Sequence, residues 1–512
     1  MKNSIHERAF SGALASGLSV AAQLVMQILQ VPLLLHVWGK EQYGVWVAVF
    51  AAFSLLNALD LGHQTYVGNL LNRYYFENKE LFQRTLASSL LVTVVFGLIE
   101  IVLLGFLVNN DWFVGLIGFK QTTWSGGAFS LIILFAAWVC VQNPLFMATR
   151  VWVPTGQFAR SQIWAVAYRV GQFSVAVVVA LLGGSIIGAT LGWVAGGMLV
   201  CGFVFWDLRA SGREFYPWWK GGSLREGGAN WLRSIWMTAN GILEQSSTNG
   251  VTLMISQILG VAALPAFTTV RTFANIATTG TGVVLTPLQI DFVRFKVNRE
   301  YDKLAQSFAV IWFGLGTFIA LVLVIFSPFM GIIYRLWTHG ALSFDYILYA
   351  TLGISVAVRG VGAPMANYIV FINHLGAQSW GAVVRAIIVV GGTVLLLPRM
   401  GLVGAGLAIA LAEMAGSFFV PLWYVAAEFR AHGERFPWRQ LGFSVIGLAI
   451  AGGCLLVAGS NKEIAWPFAL GGVGAISFLA WYQWMGLSDD VRSRVQTLVL
   501  RFVPRRWKVI SV

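Results

Sequence analysis

Charge is scarce in this chain. Of its 512 residues only 11% are Asp, Glu, Lys or Arg, against roughly 25% in soluble domains. Hydrophobic residues make up 57%, and the mean hydropathy is +0.74. A water-soluble globule cannot hide that much apolar surface. Cysteine is scarce too: Cys140, Cys201 and Cys454 sit in separate apolar runs without CxxC or Cys/His spacing, which excludes a disulfide framework and a zinc site. There is no GxxxxGK loop followed by Ser or Thr, which argues against direct ATP hydrolysis. The six histidines are scattered. His6, His339, His374 and His432 lie near connectors or ends, and His36 and His63 read as cavity-lining or interfacial. No catalytic constellation emerges, so the reading is a non-enzyme without cofactor or metal.

What is present is apolar runs of about 20 residues, the length that crosses a bilayer as a helix. They lack the period-2 alternation of barrel strands, and lipid leaves backbone groups no other spanning form. The expected fold is therefore all-α and polytopic, with about 14 spans. These are Ser11–Trp38, Tyr43–Gly62, Thr85–Val108, Gly127–Ala148, Ser161–Leu182, Ser185–Trp206, Trp231–Leu259, Ala263–Gln289, Ser307–Ile333, Phe344–Ile372, Gln378–Leu397, Leu402–Ala426, Leu441–Ala458 and Ile464–Met485. The first run is too long for a signal-peptide core and reads as a retained span.

Lys and Arg collect on cytoplasmic connectors, which tests the parity of these spans. With the amino terminus inside, alternate connectors hold Arg73, Lys79 and Arg84; Arg150 and Arg160; Arg209, Arg213, Lys220 and Arg225; Arg294, Lys296, Arg299 and Lys303; and Arg430, Arg435 and Arg439. The tail adds Arg492, Arg494, Arg501, Arg505, Arg506 and Lys508, while the opposite connectors hold little beyond Lys40, Lys120, Arg335, Arg399 and Lys462. Both termini are then cytoplasmic. The net charge of +13 is explained by topology and anionic membrane lipid rather than by nucleic acid.

An internal repeat suggests two lobes. Ile186-Ile187-Gly188-Ala189-Thr190-Leu191-Gly192 after the fifth span matches Leu402-Val403-Gly404-Ala405-Gly406-Leu407-Ala408 after the eleventh. Trp38-Gly39 through Tyr43-Gly44 matches Leu259-Gly260 through Leu264-Pro265 at nearly the same offset. Such repeats mark many transporter folds. The division expected is a six-helix lobe over 1–208, a second over 209–430, and two extra spans with a basic tail over 431–512.

Polar groups inside the spans fall in stripes at helical spacing. They are Ser16, Ser19, Gln23, Gln27 and Gln30; Asn57, Asp60 and Gln64; Asn240, Glu244 and Ser247; and Thr268, Arg271, Thr272, Asn275 and Thr279. A single such residue reads as interhelical glue, but four stripes on the first helix pairs of both halves suggest a wet cleft. Arg169, Arg271, Arg359 and Arg385 also lie within spans, where an arginine needs compensation. Arg169 and Arg385 are near enough to an end to snorkel. Arg271 and Arg359 either pair with Glu244, Glu413 or Glu100, or hold a phosphate or acidic sugar. Pro364 is placed to break its span and free carbonyls. The candidate substrate-binding residues are Arg271, Arg359, Gln23, Gln27, Asn240, Asn275, Arg169 and Arg385; Asp60 and Glu244 are candidates for proton or sodium coupling.

Phe10-Ser11-Gly12, Gln27, Pro32, Gly39, Tyr43-Gly44-Val45-Trp46, Leu59-Asp60-Leu61-Gly62 and Gly404-Ala405-Gly406-Leu407-Ala408 together resemble the polysaccharide-transporter branch of the multidrug/oligosaccharidyl-lipid/polysaccharide exporter superfamily. The resemblance implies a flippase in a bacterial cytoplasmic membrane. It would move a polyprenyl-diphosphate-linked repeat unit between leaflets by alternating access, for O-antigen, capsule or exopolysaccharide assembly, in the company of membrane lipids and a polysaccharide polymerase. A cation-coupled drug or metabolite antiporter of the same superfamily is the second reading. A membrane glycan polymerase or ligase is the third, disfavoured because the external connectors are short.

Overall fold

A computed structural model describes residues 5–117, 121–279, 281, 285, 289–372, 374–460, 462–487 and 492–493. Lys120, the basic tail apart from Arg492, and parts of the eighth predicted span lie outside them. The described residues are almost wholly helical, with no strand among them. The first ten α-helices are α1 (Ile5–Glu77), α2 (Lys79–Leu107), α3 (Asp111–Ile117), α4 (Gln121–Ala137), α5 (Asn143–Thr149), α6 (Phe158–Leu181), α7 (Ile186–Ser211), α8 (Leu224–Gln245), α9 (Val251–Leu259) and α10 (Leu264–Ile276). The later ten are α11 (Gln289–Val297), α12 (Tyr301–Ile311), α13 (Thr317–Phe326), α14 (Met330–Trp337), α15 (Tyr346–Phe371), α16 (Leu375–Met400), α17 (Leu402–Ala412), α18 (Val420–Ala431), α19 (Trp438–Ser460) and α20 (Lys462–Met485).

Among the described residues, 11 helical stretches are long and apolar enough to cross a membrane, so the chain is a multi-pass membrane protein. The first of them joins the first two predicted spans, because α1 runs on through a break at Gly39 (φ 68, ψ −172). The seventh and eighth predicted spans are not among the 11. The seventh is polar for a membrane helix, and the eighth is described as a helix only over Leu264–Ile276.

The repeat has a backbone counterpart. Gly39 and Gly260 (φ 88, ψ 162) both break helices in a conformation that L side chains avoid. Gly183 and Gly401, one before each copy of the second motif, also have positive φ. The part of α1 just after the Gly39 break packs on the residue that follows the Gly260 break, since a side chain at Gly44 would strike the Val261 carbonyl.

The chain forms two compact units. One comprises Met1–Val283, Ile332–Phe344 and Arg385–Ile409. Its core contains Val67, Leu71, Phe82, Leu86, Met147, Trp152, Val204 and Leu208, and the Trp337 indole anchors the end of α14 on the Ile28 carbonyl (2.7 Å). The other comprises Val284–Gly331, Asp345–Val384 and Ala410–Val512. Its core is aromatic, with Phe292, Phe308, Trp312, Tyr368 and Phe429. The last two helices, α19 and α20, pack on α13 through Ala320, Val324, Ala451, Cys454 and Ile476.

Contrary to the expectation for Pro364, α15 runs through it unbroken. Trp312 donates to the Val361 carbonyl at 2.9 Å, and Gly362 admits the backbone of Ser417 from a facing π-helical stretch, Glu413–Phe419. Three more π turns occur among the described residues, Trp138–Gln142, Ser246–Gly250 and Trp312–Gly316. Such turns often mark functional positions.

Candidate functional site

Inside the first unit, both arms of α1 meet α9 and α10 around a chamber of about 380 Å³. Gln27 and Gln30 come from before the Gly39 break, and Trp46, Val47, Phe50, Ala51 and Ser54 from after it. Asn249 and Thr252 approach from the π turn and α9, and Thr268, Arg271, Thr272 and Asn275 from α10. Amides and hydroxyls thus face two aromatic rings. Arg271 is the single charged residue of this lining, which contains no carboxylate.

The guanidinium of Arg271 is oriented from two sides. Its Nη1 donates to the Thr248 carbonyl at 3.0 Å, and its carbon lies 5.9 Å from the Phe267 ring centre. Thr248 is the middle residue of the π turn, where wider spacing loosens the regular i→i+4 bonding and leaves a carbonyl able to accept from outside the helix. The hydroxyls of Thr268 and Thr272 bond back to Leu264 and Thr268 carbonyls (both 2.8 Å), so α10 satisfies them without a partner helix.

The other candidate residues fall into separate groups. Arg169 on α6 donates to Ser19 (3.1 Å) and reaches Gln23 (3.5 Å), one to two turns along α1 from Gln27. Arg385 is only 7% exposed and forms an ion pair with the half-exposed Glu244, away from the chamber lining. Asn240 is half-buried on α8 and does not line the chamber. Arg359, in the second unit, is exposed on α15, with no ion-pair partner among the described residues.

Asp60 belongs to a second polar cluster, also inside the first unit. It is 8% exposed and accepts from the Trp138 indole at 2.8 Å. Gln64 donates to Asn143 at 2.5 Å and receives a long contact from Arg150 at 3.5 Å. Glu100 of α2 has a buried Oε2 without a hydrogen-bond partner among the described residues.

Several solved structures share this architecture. The chain superposes on the lipid II flippase MurJ in an inward closed conformation with a TM-score of 0.71 at 13% identity, over 93% of this chain and 99% of that one. An inward-facing multidrug resistance MATE family transporter of the MOP superfamily gives 0.60 at 16% identity, over 80% and 94%. The fold is that of MOP-superfamily transporters. A further member of that fold, from Pyrococcus furiosus and described by the reverse polarity of its binding pocket, gives 0.53 at 14% identity over 84% and 95%. No protein-family model and no curated protein matches the sequence.

Within this MOP fold the stripes on α1 and α10 bring Gln27, Gln30, Thr268, Arg271, Thr272 and Asn275 to one chamber. Sequence periodicity missed Asn249 and Thr252. The π turn adds about one residue to its helix, which rotates the next turns by about 100° relative to a 3.6-residue projection. The stripe through Asn240, Glu244 and Ser247 therefore does not extrapolate to the residues that line the chamber. Trp46 entered the sequence reading only as part of the resemblance motif, and Phe50 not at all; of the acids offered to Arg271 and Arg359, Glu244 instead meets Arg385.

Proposed function

We propose that this chain is a flippase that moves a polyprenyl-diphosphate-linked oligosaccharide repeat unit across a bacterial cytoplasmic membrane, by exposing the Arg271 chamber alternately to its two faces. The observation that carries this reading is the chamber's chemistry: uncharged hydrogen-bonding groups, two aromatic faces and one guanidinium, without a carboxylate. Sugars present many hydroxyls and an apolar ring face, and a diphosphate calls for a guanidinium fork. A cationic drug would find a charge of its own sign there. The likeness in fold to a lipid II flippase supports the same class of substrate. Assembly into O-antigen, capsule or exopolysaccharide, both termini in the cytoplasm, and work beside a polymerase belong to this reading.

Deletion of the gene from its native host tests it. The expected result is a lipid-linked sugar accumulating on the inner leaflet, relieved by the wild-type chain and not by Arg271→Gln. Accumulation on the outer leaflet would indicate a polymerase or ligase instead.

A second reading, a cation-coupled antiporter of drugs or metabolites, is favoured by the buried Asp60 carboxylate and by the MATE-like fold. It predicts efflux of a lipophilic cation that Asp60→Asn abolishes and Arg271→Gln leaves intact.

A further inference from the structure

A second cavity of about 730 Å³ lies on the first unit, sharing no residue with the Arg271 chamber. Its walls are apolar, with Leu91 and Val94 of α2, Leu145 of α5 and Phe205 of α7. One end is bounded by Trp218 and Trp219 of the connector between α7 and α8.

That connector is firmly seated. Gln83 of α2 donates to the Pro217 carbonyl (3.0 Å), Ser88 accepts from the Ser223 amide (3.0 Å), and Lys79 and Arg84 pair with Glu214 and Glu226. Gly222 allows the approach, because a side chain there would strike the backbone of Ala87. Glu214 of the connector and Glu226 in the first turn of α8 are thereby paired with cations of α2. Arg209, Arg213, Lys220 and Arg225 remain exposed, with no carboxylate partner among the described residues. Arg209 is carried to the tryptophans through Tyr216: its guanidinium lies 5.1 Å from that ring, which packs on Trp218 and Trp219 at 5.4 and 5.6 Å.

An apolar pocket ends, then, at an aromatic rim followed by unneutralised cations. Tryptophan favours the headgroup level of a bilayer, and clustered Lys and Arg there attract anionic lipid. We propose that this pocket binds an anionic phospholipid, with an acyl chain between α2, α5 and α7 and the phosphate headgroup on the cations of the 209–225 connector. The cations distinguish such a lipid from a zwitterionic one. The cavity suits one acyl chain better than a polyprenyl chain of many isoprene units, and it is separate from the chamber assigned to the carried sugar.

Native mass spectrometry of the delipidated full-length chain, titrated with phosphatidylglycerol or phosphatidylcholine, tests the proposal. Phosphatidylglycerol should bind at least tenfold more tightly, since each cation near the headgroup contributes several-fold. The combined change Arg209→Gln, Arg213→Gln, Lys220→Gln and Arg225→Gln should abolish that preference while leaving phosphatidylcholine binding unchanged. Gly202 lines the pocket with nothing within 4 Å of a side chain added there, so Gly202→Trp should fill the cavity and lower retention of both lipids. A second readout does not depend on those variants folding. Cys140 is exposed in the pocket wall, so in a Cys201→Ser, Cys454→Ser background phosphatidylglycerol should slow its alkylation by a maleimide. Equal binding of the two lipids by the wild-type chain would overturn the proposal. So would protection of Cys140 by a polyprenyl phosphate but not by phosphatidylglycerol, which would give the pocket to the carried lipid's tail.

Discussion

Arg271 and Arg385 show how similar residues in similar spans come to differ. Sequence alone marked both as charges needing compensation. The structure aims Arg271 at a chamber through a carbonyl and an aromatic ring, and sets Arg385 against Glu244. Which acid meets which base is a tertiary fact, and no helical spacing encodes a pairing between residues so far apart in the chain. The exposures are unequal, at 8% for the Arg385 side chain and 50% for that of Glu244. Removing the exposed partner takes the carboxylate from a buried guanidinium, whereas removing the buried one leaves a carboxylate with access to polar surroundings. Glu244→Gln should therefore destabilise the protein more than Arg385→Gln, by about 1–3 kcal/mol, measured as the difference in thermal midpoint in detergent. Equal midpoints in the two variants would contradict this asymmetry, and midpoints equal to the wild type in both would show that the pair contributes nothing. At Asp60 the neutral amide of Asp60→Asn keeps an oxygen for the Trp138 indole. Its midpoint should stay near that of the wild type while any dependence of transport on a proton or sodium gradient disappears, as read by transport with the gradient on and off.

At the scale of elements, hydrophobic runs were readable because lipid demands them, and the glycine breaks because few other residues adopt such backbone angles. Gly39 and Gly260 drew attention through the repeat, and both carry the conformation a break requires. Substituting alanine at Gly39, where φ is +68° although no atom lies within 4 Å of the added carbon, should cost about 1–3 kcal/mol from backbone strain alone. A smaller shift in thermal midpoint at Gly39 than at Gly17, a helical glycine that also has open space around it, would contradict that account. The π turns were not readable, because nothing in composition announces an extra residue in a helix. Deleting one residue from Ser246–Gly250 should restore α-helical spacing, withdraw the Thr248 carbonyl from Arg271 and rotate Asn249 and Thr252 away. The expected outcome is a folded, membrane-inserted protein with transport reduced at least tenfold, the scale of about 1.4 kcal/mol of lost interaction. Undiminished transport would mean that the π turn has no part in the site.

The whole molecule derives from its apolar composition more than from any motif. A chain with so little charge has no soluble alternative, and its polar stripes must turn from lipid into a protein interior. That much predicted an all-helical bundle with polar groups gathered inside it. The separation into one basic chamber, one polar cluster about Asp60, and an Arg169 group beside Ser19 and Gln23 arises from packing, and the exposure of Arg359 could not be foreseen from its place in an apolar run. The central claim is that the Arg271 chamber carries an anionic, sugar-bearing lipid headgroup. Its most direct measurement is translocation of a fluorescent polyprenyl-diphosphate oligosaccharide in proteoliposomes containing equal amounts of wild type, Arg271→Lys and Arg271→Gln. The account predicts fast transfer by the wild type, partial activity with lysine, and loss of at least tenfold with glutamine. Equal transfer rates in all three would contradict it.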